Sequence, residues 1–185
     1  MGSPDLPPSQ EVIQTLSESA FSPDKHGYQS HKGTKSYRAA WAEMYSKVYQ
    51  VDIDPEEEVI PLIGSKEGVY HFTMATVKPE EIVLVPDPGY LTYTTSAILA
   101  RAEIYPFPLL PENEYIPDFS TIPPKVAKKA KLMWLNYPNN PTASVVDLDF
   151  FSKAVVFAKE YNLILCHDAA YTQVTYDGYR APSLL

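Results

Sequence analysis

Four short segments put residues able to do chemistry where an apolar run gives way to a helical pattern. They are Gly64-Ser65-Lys66-Glu67-Gly68, Asp87-Pro88-Gly89-Tyr90, Asn139-Asn140-Pro141-Thr142 and Asp168-Ala169-Ala170-Tyr171. A Gly-Ser-Lys sequence opening a helix offers backbone N–H groups, a hydroxyl and an ammonium, a set that suits a phosphate. The spacing is not that of a Walker loop, and no G-x-G-x-x-G occurs. Taken singly, each segment reads equally as an ordinary strand-to-helix turn, and Asp168 as a helix N-cap. Cys166-His167-Asp168 holds the letters of a nucleophile triad, but neighbours on one strand point to opposite faces and cannot assemble one. His26, His31, His71 and His167 show no ligand spacing with carboxylates, so no metal site is expected.

These segments need a scaffold that brings them together. A helix is predicted from Ser9, with Val12, Ile13, Leu16 and Ala20 on one face, and a polar loop over 22–34. A second helix spans about Ser36 to Gln50, with Tyr37, Trp41, Met44, Tyr45 and Val48 as its apolar stripe and Arg38, Glu43 and Lys47 opposite. Alternating units follow. Apolar runs at Val59–Ile63, Ile82–Val85, Glu103–Phe107, Leu132–Asn136 and Leu163–Asp168 are separated by helical patterns at Lys66–Val77, Tyr90–Arg101 and Asp147–Tyr161. Short continuous apolar runs between helices are what strands covered on both faces look like. The fold class expected is α/β, a mostly parallel sheet with helices on both faces, whose ligands bind beyond the carboxyl ends of the strands.

Composition narrows the function classes. The 185 residues carry 15 Lys plus Arg against 23 Asp plus Glu, a net charge of −8, which argues against a nucleic-acid or anionic-membrane partner. The basic cluster Lys125, Lys128, Lys129 and Lys131 reads as a solvated helix end. A single cysteine, Cys166, excludes an internal disulfide framework. No apolar run reaches the roughly 18 residues of a membrane span, and Met1-Gly2-Ser3-Pro4-Asp5 does not open like a signal peptide, so a cytoplasmic setting is expected. Eighteen prolines punctuate the apolar segments rather than cluster, which predicts tight connections between elements.

Read in order, G-S-K-E-G, D-P-G-Y, Y-P-N-N-P-T and H-D-A-A-Y resemble the class I/II aminotransferases of the pyridoxal-phosphate fold type I superfamily, from about Tyr28 to the end of the sequence. L-V-P-D-P-G-Y and W-L-N-Y-P-N-N-P-T look most like its LL-diaminopimelate and N-succinyl-diaminopimelate aminotransferase subgroup. The resemblance implies the cofactor pyridoxal 5′-phosphate, amino-acid and 2-oxo-acid substrates, and a homodimer. It assigns Ser65 and Lys66 to the cofactor phosphate, Tyr90 to stacking on its ring, and Asn140 with Tyr171 to its phenolic oxygen. Asp168 takes the pyridine nitrogen, which a carboxylate keeps protonated so that the ring draws electrons from the substrate. Tyr28 matches the tyrosine that reaches the neighbouring subunit's cofactor phosphate, with Gly33 and Arg38 supporting the register.

Ala143 stands where the family has the glycine of N-P-T-G, which implies a small backbone adjustment, and Pro141 is expected to follow a cis peptide. The lysine that carries the cofactor lies, in the family, well after the D-x-x-Y motif, whereas these 185 residues hold no lysine beyond Lys159. The sequence is therefore expected to be a fragment of about half an enzyme and inactive by itself. Residues 1–30 would be an N-terminal segment and 31–185 a partial cofactor-binding large domain, without its closing strands or the small domain. The resemblance leaves two other readings: a non-catalytic remnant acting as a binding or dimerisation module, or another fold type I enzyme such as a carbon–sulfur lyase.

Overall fold

The computed structural model describes residues 5–28 and 30–185. The chain forms two compact units, residues 1–44 with 52–61, and residues 45–51 with 62–185.

In the first unit, α1 spans Gln10–Ala20. Its apolar residues do fall on one face, but that face is uncovered: Val12, Ile13 and Leu16 are all exposed and no α1 residue is buried. The expected loop after it contains a 3-10 turn at Pro23–Lys25. Helix α2 runs from Lys35 to Tyr49, with its residues up to Met44 in this unit, and its one buried residue is Arg38, which the periodicity assigned to the solvated side. The guanidinium is buried because its donors are matched. Nε donates to the Pro55 carbonyl at 2.7 Å, Nη1 to the carbonyls of Lys32 at 2.9 Å and Gly33 at 3.0 Å, and Nη2 to Glu56 at 2.8 Å. A planar fork with five fixed donors can satisfy three carbonyls and a carboxylate at once, which offsets its desolvation.

The second unit holds the sheet. Val59–Ile63, expected as a strand, is irregular: Pro61 lacks a ladder donor, and the Leu62 side chain lies against Gly68, where a Cβ would clash with it. Four strands remain, β1 Ile82–Asp87, β2 Glu103–Pro108, β3 Ala130–Asn136 and β4 Ile164–Asp168, all parallel in the order β2-β1-β3-β4. Alternate residues feed two cores. Val83, Val85, Leu132 and Trp134 pack beneath α3 (Ser65–Thr76) and α4 (Leu91–Leu99), through Val69, Tyr93 and Ala97. Leu84, Met133 and Leu135 pack on the other face beneath α6 (Leu148–Tyr161), through Phe150, Phe151, Ala154 and Ala158. Each fully buried Leu, Val or Phe contributes about 1.5–3 kcal/mol, so these two layers dominate the stability of the unit.

Asp147 caps α6 by accepting the Phe150 N–H at 2.9 Å, and Asn162, left-handed at φ 54°, ends it. The stretch between β2 and β3 contains 3-10 turns at Pro111–Asn113 and Phe119–Thr121 and a short helix, α5, at Pro124–Ala127. From β1 the chain leaves through α4 toward β2 and returns across the opposite face to β3 on the far side of β1. The connections therefore diverge above the carboxyl ends of β1 and β3, the place where open α/β sheets leave a crevice.

Candidate active site

Residues at the carboxyl ends of three strands line the crevice. Tyr90 ends the turn after β1 and precedes α4, Asn140 lies in the turn after β3, and Asp168 is the last residue of β4. Glycine is required at two places around it. Gly64, at φ +92°, gives the chain its sharp entry into α3, and a Cβ on Gly89 would collide with the Pro86 carbonyl oxygen. Ser65 is the first residue of α3 and Lys66 the second, so both sit at the positive end of the helix dipole.

The side chains form a connected series. The Lys66 ammonium stands 5.9 Å from the Tyr90 ring centroid. The Tyr90 ring meets Tyr93 edge to face at 5.7 Å, and Tyr93 stacks on Trp134 at 5.2 Å with only 10° between the planes. The Tyr93 hydroxyl donates to Asp168 Oδ2 at 2.8 Å. On the other side Asn136, the last residue of β3, is buried and uses both ends of its amide. Its Nδ2 donates to the Asp168 carbonyl at 2.8 Å and its Oδ1 accepts the Asn140 N–H at 2.7 Å. Asn139 holds the turn's shape by accepting from the Thr142 hydroxyl at 2.8 Å and donating to the Asn136 carbonyl at 3.1 Å. Asn140 Nδ2 in turn reaches the Tyr171 hydroxyl, at 3.4 Å. Lys66, Tyr90, Asn140, Asp168 and Tyr171 are thus linked through shared contacts, with Ser65 beside Lys66. Tyr28 belongs to the first unit, where its side chain is fully exposed.

Tyr93 and Asn136 are the members that motif and spacing did not single out. Each left a trace: Tyr93 is three residues after Tyr90, one helical turn away, and Asn136 is an amide closing an otherwise apolar run. Asn140-Pro141 is cis, as expected, and so are Asp87-Pro88 and Tyr137-Pro138. Ala143 takes the left-handed conformation itself, at φ +60°, and its N–H donates to the Asn139 carbonyl at 2.8 Å. The turn thus keeps a glycine-type backbone at a cost of about 1–2 kcal/mol for a residue with a Cβ.

Electrostatics separate the reactive-looking groups from the inert ones. Burial, and next the charge of Asp168, push the Tyr93 hydroxyl far above its ordinary range, so it remains a donor. Burial pushes the Cys166 thiol up to about 12, which leaves it protonated and unreactive. His167 faces the other way from Asp168, packs against Phe151 at 4.7 Å, and contacts the Tyr137 carbonyl through Nε2 at 2.8 Å. Its burial holds the ring's pKa below the ordinary value. A triad of these three consecutive residues does not form. Among the described residues no group of three or more His, Cys, Asp or Glu is arranged to hold a metal ion, and no helix is long and apolar enough to cross a membrane. A broad surface depression, about 1090 Å³ along Lys47–Tyr49, Val146–Asp149 and Arg180–Ser183, contains none of the linked residues. A smaller one of about 510 Å³ is bordered by Asn140 and Tyr171.

The same fold recurs in solved structures. A substrate-bound structure of BacF from Bacillus subtilis superposes with a TM-score of 0.95 at 44% identity, covering 100% of this chain and 47% of that one. A probable N-succinyldiaminopimelate aminotransferase from Thermus thermophilus gives 0.93 at 35% identity, covering 100% and 50%. Among curated sequences, the LL-diaminopimelate aminotransferase of Moorella thermoacetica is 50% identical over 185 residues, 100% of this chain and 47% of that protein. That of Gloeobacter violaceus is 46% identical, with the same coverage. The chain thus spans about half the length of the curated relatives it matches. The profile of the aminotransferase class I and II family matches residues 1–184, nearly every position of the sequence, and the chain belongs to that family.

Proposed function

We propose that this protein, in its complete form, is a pyridoxal-phosphate-dependent aminotransferase that moves an amino group from an LL-diaminopimelate-like amino acid to a 2-oxo acid. The observation that carries the reading is the linked series from Lys66 through Tyr90 and Tyr93 to Asp168, and from Asn136 through Asn140 to Tyr171, across three strand ends. The donor set fits the cofactor: a cation and a helix N-terminus for a dianionic phosphate, an aromatic face for a planar ring, a carboxylate for a ring nitrogen, and an amide with a phenol for a phenolate oxygen. When bound, pyridoxal phosphate supplies the electron sink that lets the substrate carbon lose its proton. Within this chain Ser65 and Lys66 bind the phosphate, Tyr90 sets the tilt of the ring, Asn140 and Tyr171 hold its oxygen, and Asp168 keeps a proton on its nitrogen. Tyr28 serves the neighbouring subunit of a homodimer. The substrate reading rests on relatives named LL-diaminopimelate aminotransferases that match all 185 residues.

In protein expressed from its complete reading frame, Asp168→Ala should lower turnover about a hundred-fold or more, the scale of losing a charge that acts on the reacting system. Tyr90→Phe keeps the ring and should cost less than about ten-fold. Equal losses would contradict the two roles. A panel of amino donors with 2-oxoglutarate as acceptor tests the substrate: LL-diaminopimelate should be the best donor, and a clear preference for an aromatic or a simple aliphatic donor would replace it.

A further inference from the structure

We propose that Tyr93 is a positioning residue for the cofactor: its hydroxyl occupies one carboxylate oxygen of Asp168 and fixes the carboxylate so that the other can meet the ring nitrogen. This rests on the reading of Asp168 given above and extends it to a side chain that touches neither substrate nor cofactor. Tyr93 is 1% exposed and held from two sides, stacked on Trp134 at 5.2 Å and met edge-on by Tyr90 at 5.7 Å. A tyrosine has only two side-chain torsions, so a ring clamped in this way presents its hydroxyl at a fixed point. That point is 2.8 Å from Asp168 Oδ2.

Two further observations support the role. The Asp168 backbone is also held, its carbonyl accepting from Asn136 Nδ2 at 2.8 Å, so main chain and side chain are restrained from different elements. Burial and the neighbouring carboxylate keep the phenol protonated, so the hydrogen bond runs from Tyr93 to Asp168 across the working pH range. An aspartate at the end of a strand would otherwise be free to turn about its side-chain torsions. A carboxylate already pointed costs less ordering when the cofactor arrives, which is the advantage of preorganisation.

The test compares two ligands in one protein. Cofactor-free protein from the complete reading frame is titrated calorimetrically with pyridoxal phosphate and with the deaza analogue in which a carbon replaces the ring nitrogen. Both keep the phosphate, the aldehyde and the phenolic oxygen, so every other contact cancels in the ratio. The natural chain should favour the nitrogen-containing ligand by about ten-fold or more, the value of a hydrogen bond to a charged group. Asp168→Asn should remove most of that preference. Tyr93→Phe, which retains the stacked ring, should bring the ratio down toward the Asp168→Asn value while leaving affinity for the deaza analogue unchanged. A Tyr93→Phe protein with the ratio intact overturns the inference. So does one in which both affinities fall together, because that is the signature of a purely structural tyrosine. If the natural chain itself does not distinguish the ligands, the role given to Asp168 fails, and this inference fails with it.

Discussion

At the scale of single residues, the neighbours Cys166, His167 and Asp168 show how strand geometry divides three reactive letters into three different environments. Asp168 opens into the crevice, Cys166 packs, partly buried, against the core beside Trp134 of the neighbouring strand, and His167 lies on the opposite face among Phe151 and the Tyr137 carbonyl. A carbonyl only accepts, so His167 Nε2 must carry the proton of a neutral ring. Burial lowers its pKa, and a value lowered in the folded state means that protonation favours unfolding. The stabilising contribution is therefore complete above the ordinary histidine value of about 6.5 and is lost as pH falls from there through the lowered value. Denaturant midpoints should accordingly drop as the pH is lowered from about 7.5 to about 5, the range in which histidine titrates. In His167→Gln, which can still donate to the Tyr137 carbonyl but does not titrate, that part of the slope should flatten. An unchanged slope would mean that other groups set the acid limit.

At the scale of elements, Arg38 shows what periodicity alone misses. The α2 stripe of Tyr37, Trp41 and Val48 looks like a core face, yet all three are exposed, and the buried side chain is the charged one. Helical spacing reports which residues share a face, not whether anything covers that face, and it cannot see carbonyls of Lys32, Gly33 and Pro55 waiting for a guanidinium. Arg38→Met should leave those carbonyls without a donor and cost about 3 kcal/mol in the first unit. Exchange of backbone amides over residues 30–44 and 52–61 should then quicken, while those of β1 and β3 should not. The strands were more legible. Ile82–Val85 and Leu132–Leu135 are continuous apolar runs because both of their faces are covered, so the physical cause is written in the letters, whereas β4 is half-buried along its length. Val59–Ile63 misled because it has the same letters interrupted by Pro61, and a strand needs a partner as well as a composition. In the site, motif residues such as Lys66, Asn140 and Asp168 could be picked out from their junctions. Tyr93 and Asn136 are hydrogen-bonded to those residues and have no motif of their own.

For the whole molecule, β2 and β4 are each hydrogen-bonded on one side only among the described residues, and apolar side chains of the same unit are exposed at Leu148, Val174, Tyr176 and Leu185. Unpaired strand edges and exposed apolar groups each favour association. The 185 residues expressed alone should sediment as a concentration-dependent mixture of self-associated species, and a monodisperse monomer with a cooperative thermal transition would count against this. Trp134 has one more consequence. Its indole N–H is buried with no partner among the described residues, at a cost of about 1–3 kcal/mol, and its ring is stacked directly on Tyr93, the residue that touches Asp168. The only other tryptophan, Trp41, is 42% exposed. An indole without a hydrogen bond in apolar surroundings emits at short wavelength and a solvated one at long wavelength, so the protein carries two intrinsic chromophores with separable fluorescence. The blue component lies beside the crevice and overlaps the absorption of a pyridoxal ring, so under the proposed function this natural side chain is an unlabelled optical gauge of whether the crevice is filled.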